Sequence, residues 1–316
     1  MGTVIDAHVH LFGTGDLPAE WYRLGKLRWA GGKWPPPDPG AIDIEGGLVD
    51  DDGTLLMAEL ERAGVGAGVC MALDWGVEFD DPAVKPADVH ARYAEMQERH
   101  PGHFYGIAGI DPRRPDAVPL LEEAIGRFGL KGLKLYPPCG YFPSDPVCFP
   151  LYEKLLELDA PVVIHTAYVG WPHVARFANP LAIGDVQRAY PDLTIVFAHS
   201  GHELWVEEAM LTAGHHPSSY LELSNWNWNL AGDHDELVRV LVRMRDTVGA
   251  HRMLFATDHL GGRRFSGERA TLRRWADFIR ELPERAGRLG LDVSDEETEL
   301  ILGENAKRVF RIEGPA

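Results

Sequence analysis

The 316-residue sequence has few cysteines and no long apolar run. Its three cysteines, Cys70, Cys139 and Cys148, are scattered, odd in number and without a Cys-x-x-Cys neighbour, which fits a reducing compartment. No run of 18 apolar residues exists, which excludes a membrane-spanning helix. The first residues lack the basic segment and apolar stretch of a secretory signal. The sequence therefore predicts a cytoplasmic protein that does not interact with membranes.

Basic residues are scarce relative to acidic ones. The chain has 31 Lys and Arg against 48 Asp and Glu, a formal net charge of −17 at pH 7. Nucleic acids and anionic membranes are bound through clustered Lys and Arg, so neither is an expected partner. Apolar residues make up 45% and charged residues 25%, as in ordinary globular proteins. Since α/β barrels routinely occupy 250 residues or more, we expect one domain over residues 1–316.

Eight short β-type runs alternate with amphipathic, helix-like segments. The predicted strands are residues 3–10, 66–73, 104–110, 131–136, 161–167, 194–200, 219–225 and 253–259. This alternation indicates parallel βαβ units, and eight units in roughly 300 residues predict an α/β fold, the (β/α)8 TIM barrel. The alternative is an open doubly wound sheet, but no glycine-rich nucleotide-binding motif follows the first strand.

The connections differ in length. A long irregular stretch, residues 11–52, follows the first predicted strand and holds Trp21, Trp29 and Trp34, and a proline-rich loop, residues 137–143, follows the fourth. Barrel enzymes build their sites at the C-terminal ends of strands, so both loops are expected beside the site. The tryptophans either cover the substrate or only pack against the barrel. Extra C-terminal helices are predicted at residues 268–281, 295–301 and 304–310.

The clearest chemical signal is Ile5-Asp6-Ala7-His8-Val9-His10 in the first predicted strand. Side chains alternate along a strand, so His8 and His10 share a face and can bind one cation. Asp6, on the same face, either supports these histidines or makes a structural hydrogen bond. A lone His-x-His is a weak signal, because a histidine is often only a hydrogen-bonded core residue.

Three other predicted strands end in side chains of similar chemistry. His165, His199 and Asp258 each follow an apolar run, near the C-terminal end of the fifth, sixth and eighth strands. Because strand ends converge in a closed barrel, we expect these residues to gather with His8 and His10 around a common cation.

Taken together, these motifs resemble the amidohydrolase superfamily and, within it, the amidohydrolase-2 group, which includes aminocarboxymuconate-semialdehyde-type decarboxylases and many hydrolases. The resemblance extends over nearly the whole chain, through residues 131–138 to the closing segment 303–310. It implies that His8, His10, His165 and Asp258 bind the metal. It also implies that His199 lies close by, as an acid/base or a further ligand. Since family members often form dimers or larger assemblies, a homo-oligomer is expected.

Lys134 lies within an otherwise apolar predicted strand, where a lysine needs a partner. In binuclear members of the superfamily a carbamylated lysine on the fourth strand bridges two metal ions, which makes Lys134 and His199 candidate ligands of a second ion. Alternatively, Lys134 remains an ammonium that neutralises carboxylates or anchors an anionic substrate. Of the two arrangements, we favour one divalent ion. Imidazoles with a carboxylate suit Zn²⁺, our first expectation, or Mn²⁺.

Such an ion lowers the pKa of its bound water from 15.7 toward roughly 7. Asp258 could accept the proton of that water, and His199 could polarise the attacked carbonyl. We therefore expect hydrolysis of a small amide, lactone or ester. The alternative is non-oxidative decarboxylation of an unsaturated or aromatic acid, with His199 and Asp258 managing the proton. Ser200-Gly201 and His259-Leu260 depart from the better-known decarboxylases, which leaves hydrolysis ahead.

A third hypothesis is a barrel that binds a ligand without turnover, which the costly buried polar groups oppose. Both enzymatic reactions require a small anionic or carbonyl-bearing substrate. Candidate binding residues are Arg263 and Arg264 after the last strand, Tyr136 after the fourth and Trp226 after the seventh. Solvated arginines and a core-packed tryptophan are the alternatives.

Overall fold

The computed structural model describes residues 2–262 and 269–314, and its strands form one parallel sheet. The strands are β1 Ile5–His10, β2 Ala67–Met71, β3 Phe104–Gly109, β4 Leu133–Leu135, β5 Val162–His165, β6 Ile195–Ala198, β7 Ser219–Glu222, β8 Met253–Leu254 and β9 His259–Leu260. Their order in the sheet is β8-β7-β6-β5-β4-β3-β2-β1-β9, so β1 to β8 are neighbours in their sequence order, and β8 and β9 stand at opposite ends of it.

The segment 253–260 closes the sheet into a barrel. Its first part, β8, pairs with β7, and its last part, β9, pairs with β1. Between these two parts, the Ala7 amide donates to the Phe255 carbonyl and the Asp258 amide to the His8 carbonyl, both at 2.9 Å. The eighth predicted strand is therefore present in two pieces that bridge the sheet edges. The predicted (β/α)8 architecture is confirmed.

Fourteen α-helices lie in the part of the chain that the structure describes, most of them in connections between strands. They are α1 Ala19–Gly31, α2 Glu45–Leu48, α3 Thr54–Ala63, α4 Gly76–Phe79, α5 Pro86–Arg99, α6 Ala117–Glu122, α7 Phe149–Glu157, α8 Ile183–Ala189, α9 His202–Gly214, α10 His234–Val248, α11 Arg269–Arg280, α12 Leu282–Arg288, α13 Asp295–Glu299 and α14 Asn305–Phe310. Two π-helical turns follow α6 and α13, at Glu123–Arg127 and Leu300–Glu304. Within the described ranges, no helix is long and apolar enough to cross a membrane.

Buried apolar side chains form two groups that match the two faces of the strands. The smaller group joins β1, β2, β3, β5, β6 and β8, and strands on opposite sides of a closed sheet meet only in its interior. Its strand members include Ile5, Ala67, Val69, Ile107, Val163, Val196 and Leu254. The larger group joins strand residues such as Ile164 and Phe197 to helix residues such as Leu155 and Val186. The core therefore has an inner layer and a layer between sheet and helices.

The first long connection differs from the expectation of an irregular stretch over residues 11–52. Residues 19–31 form α1, and a shorter helix, α2, follows it. The prediction was wrong here because α1 lacks the usual signals: Pro18 precedes it without a side-chain cap, and its apolar residues show little helical periodicity. The extra C-terminal helices are confirmed, and α12 adds one that was not predicted.

The three cysteines are fully buried and unpaired. Burial raises the pKa of the Cys70 and Cys148 thiols to about 12 and that of Cys139 well above its usual value. Each thiol therefore stays protonated and packs as a small apolar group.

Candidate metal centre

Three of the predicted ligands converge at the C-terminal end of the barrel. The Nε2 atoms of His8 and His10 are 3.0 Å apart, and Asp258 Oδ1 lies 3.5 Å from the first and 3.1 Å from the second. Two ligands of one ion, each about 2.1 Å from it, stand roughly 3.0 to 3.4 Å apart. The spacing of these three donor atoms therefore fits one divalent cation.

The hydrogen bonds of the two imidazoles decide which nitrogens face this point as acceptors. His10 Nδ1 lies 2.7 Å from the Met71 carbonyl oxygen, which can only accept, so Nδ1 carries the proton and Nε2 has the lone pair. His8 Nδ1 likewise donates to Glu222 Oε2 at 2.8 Å. Burial and the charge of Lys134 hold the pKa of His8 well below its usual value, so the ring is neutral. Two lone pairs and a carboxylate thus face one point, and a cation would relieve their repulsion.

The backbone at the strand ends is strained where the site residues lie. Asp258 has φ 59°, and the consecutive residues His199 and Ser200 have φ 68° and 48°. Non-glycine residues rarely adopt such left-handed values, and strain of this kind is concentrated at functional sites. A register shift between Asp6 and Val9 also interrupts the regular alternation of β1 around His8. The positive φ angles and the register shift therefore change the directions in which the side chains of these residues leave the backbone.

Asp258 remains a carboxylate at neutral pH. Burial alone would raise its pKa, but the groups around the carboxylate, the charge of Lys134 among them, outweigh burial and lower the pKa below its usual value. Its side chain is 22% exposed, whereas the side chains of His8 and His10 are 0% and 5% exposed. Asp258 is therefore the member of this group that meets solvent.

His165, predicted as the fourth ligand, makes a different contact. Its Nε2 donates to the Ala167 carbonyl oxygen at 3.0 Å, so its lone pair is on Nδ1, which lies 2.9 Å from His199 Nε2. In the structure His8, His10 and Asp258 thus form one group, and His165 instead forms a hydrogen bond with His199. Both histidines line the same cavity as the group, and the rings of His8 and His199 are 5.0 Å apart.

His199 is held by the residues that follow β7. Its Nδ1 lies 2.6 Å from Ser224 Oγ and 3.1 Å from the amide nitrogen of Asn225, which can only donate. In the neutral ring the proton is then on Nε2 and is donated to His165. Burial and the neighbouring imidazoles hold the pKa of His199 well below its usual value, which favours the neutral form.

Glu222, at the end of β7, is a site residue that sequence reasoning missed. Its fully buried carboxylate contacts His8 Nδ1 at 2.8 Å, Ser224 Oγ at 2.9 Å and the backbone amide of His199 at 3.2 Å. Glu222, His8 and His199 also form a second group of potential metal ligands. The signal in the sequence was weak, because Glu222 ends β7 as His165 ends β5, but β7 is less apolar and glutamate is usually solvated. Burial raises the pKa of Glu222, and its bonds with Ser224 oppose that rise.

Lys134 is buried in β4 and lines the cavity, and its Nζ has no hydrogen-bond partner among the described residues. Burial lowers its pKa, while the negative charges of Glu222 and Asp258 counteract this effect. A buried ammonium without a hydrogen-bond partner is costly, so an anionic ligand beside Nζ would stabilise the charged form.

Asp6 supports the backbone beside the group. It accepts from the amides of His8 and Thr257, both at 3.1 Å, and from Thr257 Oγ at 2.5 Å. Burial raises its pKa to about 8. Of the two roles expected for Asp6, the structure shows the hydrogen bond that ties β1 to the closing segment.

The family model of the amidohydrolases (Amidohydro_2) matches residues 5–312. The chain belongs to the amidohydrolase family. It is 24% identical to a 2-keto-4-carboxy-3-hexenedioate hydratase of Sphingobium sp. (strain NBRC 103272 / SYK-6), over 98% of this chain and 96% of that protein.

Solved structures share the fold of this amidohydrolase family member. The 5-carboxyvanillate decarboxylase of Sphingomonas paucimobilis superposes with a TM-score of 0.65 at 16% identity, covering 98% of this chain and 99% of its own. The 5-carboxyvanillate decarboxylase of Novosphingobium aromaticivorans was solved with manganese and 4-hydroxy-3-methoxy-5-nitrobenzoic acid. It superposes with a TM-score of 0.67 at 15% identity, covering 98% of this chain and 96% of its own. The predicted membership of the amidohydrolase-2 group is confirmed.

A cavity of about 530 Å³, including its open mouth, lies over the group formed by His8, His10 and Asp258. It is lined by His8, His10, Phe12, Leu17, Trp21, Leu48, Leu73, Trp75, Lys134, Tyr136, His165, His199, Asp258 and Leu260. The rings of Trp21, Trp75 and Tyr136 form a continuous wall, with centroids 4.8 and 5.2 Å apart. Tyr136 therefore lies where a substrate-binding residue was expected.

The other substrate-binding candidates have different outcomes. Trp226 is not among the residues that line this cavity: it is buried, and its indole nitrogen donates to the His199 carbonyl at 3.0 Å. The expected contact with substrate is thus replaced by support of the His199 backbone. Arg263 and Arg264 lie outside the described residues. Of the loop tryptophans, Trp21 joins the wall, whereas Trp34 is 93% exposed.

Proposed function

We propose that this chain is a metal-dependent enzyme that activates water for attack on a small carbonyl-containing or conjugated carboxylate, by hydrolysis or by hydration. The observation that carries the proposal is the convergence of His8 Nε2, His10 Nε2 and Asp258 Oδ1 on one point beneath the cavity. These three residues would hold one divalent ion. When bound, such an ion supplies Lewis acidity, which acidifies water and stabilises negative charge on a substrate oxygen.

Proton transfer falls to Asp258 and His199. The Asp258 carboxylate is ionised and partly open to the cavity, so it can take a proton from the attacking water and return it to the product or leaving group. The His199 Nε2–H donates to His165 and can be redirected to a developing oxyanion. Lys134 Nζ, which lacks a partner within the described ranges, would bind an anionic oxygen of the substrate.

The choice of metal rests on the donor set. Two neutral imidazoles and one carboxylate suit Zn²⁺ and Mn²⁺ alike. Zinc was the first expectation, and the manganese of the Novosphingobium decarboxylase structure supports Mn²⁺ equally. We propose one ion, because His8 Nδ1 is already engaged with Glu222 in the second group of potential ligands. Two ions per chain in the purified protein would instead favour a carbamylated Lys134.

Non-oxidative decarboxylation is the second candidate, and a specific feature favours it. The aromatic wall of Trp21, Trp75 and Tyr136 suits a flat, conjugated acid, because aromatic rings stack on planar π-systems. The two 5-carboxyvanillate decarboxylases share the fold, which adds support. In this reaction Asp258 or His199 would deliver the proton that replaces the departing carboxylate.

Two measurements test the proposal. Protein loaded with Zn²⁺ or Mn²⁺ is assayed against lactones, esters, amides, unsaturated polycarboxylates and aromatic acids, with CO₂ release separating decarboxylation from addition of water. Asp258→Asn should abolish turnover and leave the circular dichroism spectrum unchanged, whereas Asp185→Asn, at an exposed position on α8, should retain turnover. Wild-type turnover in Asp258→Asn would show the assigned site to be wrong. Metal-free protein that gains no activity with either ion would favour a ligand-binding barrel.

A further inference from the structure

Ser224 places a buried hydroxyl between His8 and His199, and the proposed chemistry does not use it. The residue follows the end of β7 by two positions and is 0% exposed. Its Oγ lies 2.6 Å from His199 Nδ1, 2.9 Å from Glu222 Oε2 and 3.4 Å from His8 Nδ1. A serine hydroxyl has one proton to donate, so the His199 ring and the Glu222 carboxylate compete for it.

The proton in the shortest of these contacts belongs to Ser224. Two lone pairs 2.6 Å apart would repel, so a proton lies between Oγ and His199 Nδ1. The neighbouring ring of His165 is neutral, because burial and the charge of Lys134 hold its pKa well below its usual value, and its Nε2 donates to the Ala167 carbonyl. His165 Nδ1 therefore accepts from His199 Nε2, 2.9 Å away. The lone pair of the neutral His199 ring is then on Nδ1, and Ser224 is the donor.

The Glu222 carboxylate has other donors. Its Oε2 accepts from His8 Nδ1 at 2.8 Å and from the backbone amide of His199 at 3.2 Å. Its Oε1 accepts from the backbone amide of Ser224. With three N–H groups already on this carboxylate, the hydroxyl proton is left to the imidazole.

Asn225 does not replace Ser224 in this role. Its amide nitrogen lies 3.1 Å from His199 Nδ1, a longer contact than that of the hydroxyl. Rotation of the amide group would present Oδ1, an acceptor, and this buried oxygen has no hydrogen-bond partner in the described part of the chain. Asn225 therefore fits either tautomer of His199 and does not by itself select one.

We propose that Ser224 is a positioning residue that keeps the His199 proton on Nε2, where it is the hydrogen-bond donor of the ring. The inference rests on the proposed function, in which this N–H stabilises a developing oxyanion. Hydrogen bonds in a chain polarise one another, so donation to Nδ1 strengthens the donor at Nε2. Ser224 thus acts through His199 and does not touch the substrate.

Long-range ¹H–¹⁵N NMR of the full chain, labelled with ¹⁵N-histidine and loaded with Zn²⁺, tests the position of the proton without requiring turnover. The His199 signals are those that are absent from His199→Gln. We expect a proton-bearing Nε2 and a proton-free Nδ1 in the wild type. In Ser224→Ala the Nδ1 resonance should move toward that of a nitrogen without a hydrogen bond.

Ser219→Ala is the matched control. It removes another fully buried serine hydroxyl, at the start of β7, which lies 3.0 Å from His216 Nδ1. It should therefore change the His216 resonances and leave those of His199 in place.

Kinetics separate positioning from a merely structural role. With a substrate that the activity assays identify, Ser224→Ala should lower kcat about tenfold and leave KM within about twofold, because the hydroxyl acts on the donor of the oxyanion and not on substrate binding. Ser219→Ala should keep the wild-type kcat.

A proton on His199 Nδ1 in the wild type would overturn the proposal, since the hydrogen bonds would then run from His199 through Ser224 to Glu222. An Nδ1 resonance or a kcat that Ser224→Ala leaves unchanged would also contradict it. The expected His199 signals in a chain without metal-dependent turnover would overturn the proposed function and still support the action of Ser224 on His199.

Discussion

Substitution of Glu222 by glutamine tests whether a buried carboxylate positions His8 for the metal ion that we propose. Glu222 Oε2 accepts from His8 Nδ1 at 2.8 Å, which keeps the His8 proton on Nδ1 and its lone pair on Nε2. Such partners behind a metal-binding histidine contribute about 10- to 100-fold in metal affinity. That range corresponds to roughly 1.4 to 2.8 kcal/mol at 1.4 kcal/mol per tenfold. Glutamine is the same size but carries no charge, so Glu222→Gln should weaken metal binding by this amount.

The assay is competition for Zn²⁺ or Mn²⁺ with a chromophoric chelator, accompanied by thermal unfolding of the metal-free chain. Glu207→Gln, at an exposed pair with Arg243, serves as the control and should bind metal as the wild type does. A loss well beyond 100-fold would mean that Glu222 is itself a ligand, as its grouping with His8 and His199 permits. Unchanged affinity in Glu222→Gln would refute the positioning role.

Two further predictions concern stability. Burial lowers the pKa of His90 to about 4, so between pH 6.5 and 4 the unfolded chain binds a proton that the folded chain does not, and stability falls as pH decreases through this window. Urea unfolding measures how much the free energy of unfolding decreases from pH 7 to pH 4.5. This decrease should be about 2 kcal/mol smaller in His90→Gln than in the wild type. An equal decrease in both proteins would contradict the lowered pKa of His90. A Cβ at Gly109 would lie 2.3 Å from the backbone oxygen of Ala72, so Gly109→Ala should cost about 3 kcal/mol in the same assay at pH 7. Gly126→Ala, with open space around the new methyl, is its control and should not be destabilised.

The barrel could be predicted because its signals are local. Alternation along strands and helical periodicity between them are written into short stretches of sequence, and eight repeats of one unit leave few architectures. Because these polar residues lie at the ends of apolar predicted strands, the sequence also predicted that His8, His10 and Asp258 lie at one end of the barrel. Their convergence within 3.5 Å follows from barrel closure, because the segment carrying Asp258 pairs with β1.

Other features depend on contacts that no local pattern encodes. The direction of His165 is set by its bonds to Ala167 and His199, and both follow from backbone turns after the strands end. Glu222 was overlooked because glutamate is usually solvated, and only the assembled barrel shows His8 opposite it. Trp226 turns toward the His199 carbonyl because Asn225 before it adopts a left-handed φ of 68°.

The burial of all three cysteines makes the chain a convenient host for site-specific labelling. Alkylating reagents attack the thiolate of an accessible cysteine, and Cys70, Cys139 and Cys148 offer neither access nor an ionised sulfur. A single cysteine introduced at exposed Trp34 or Tyr168 would therefore react with a maleimide fluorophore, whereas the three native cysteines would not. Ligand entry could then be followed optically in a protein that keeps every native thiol.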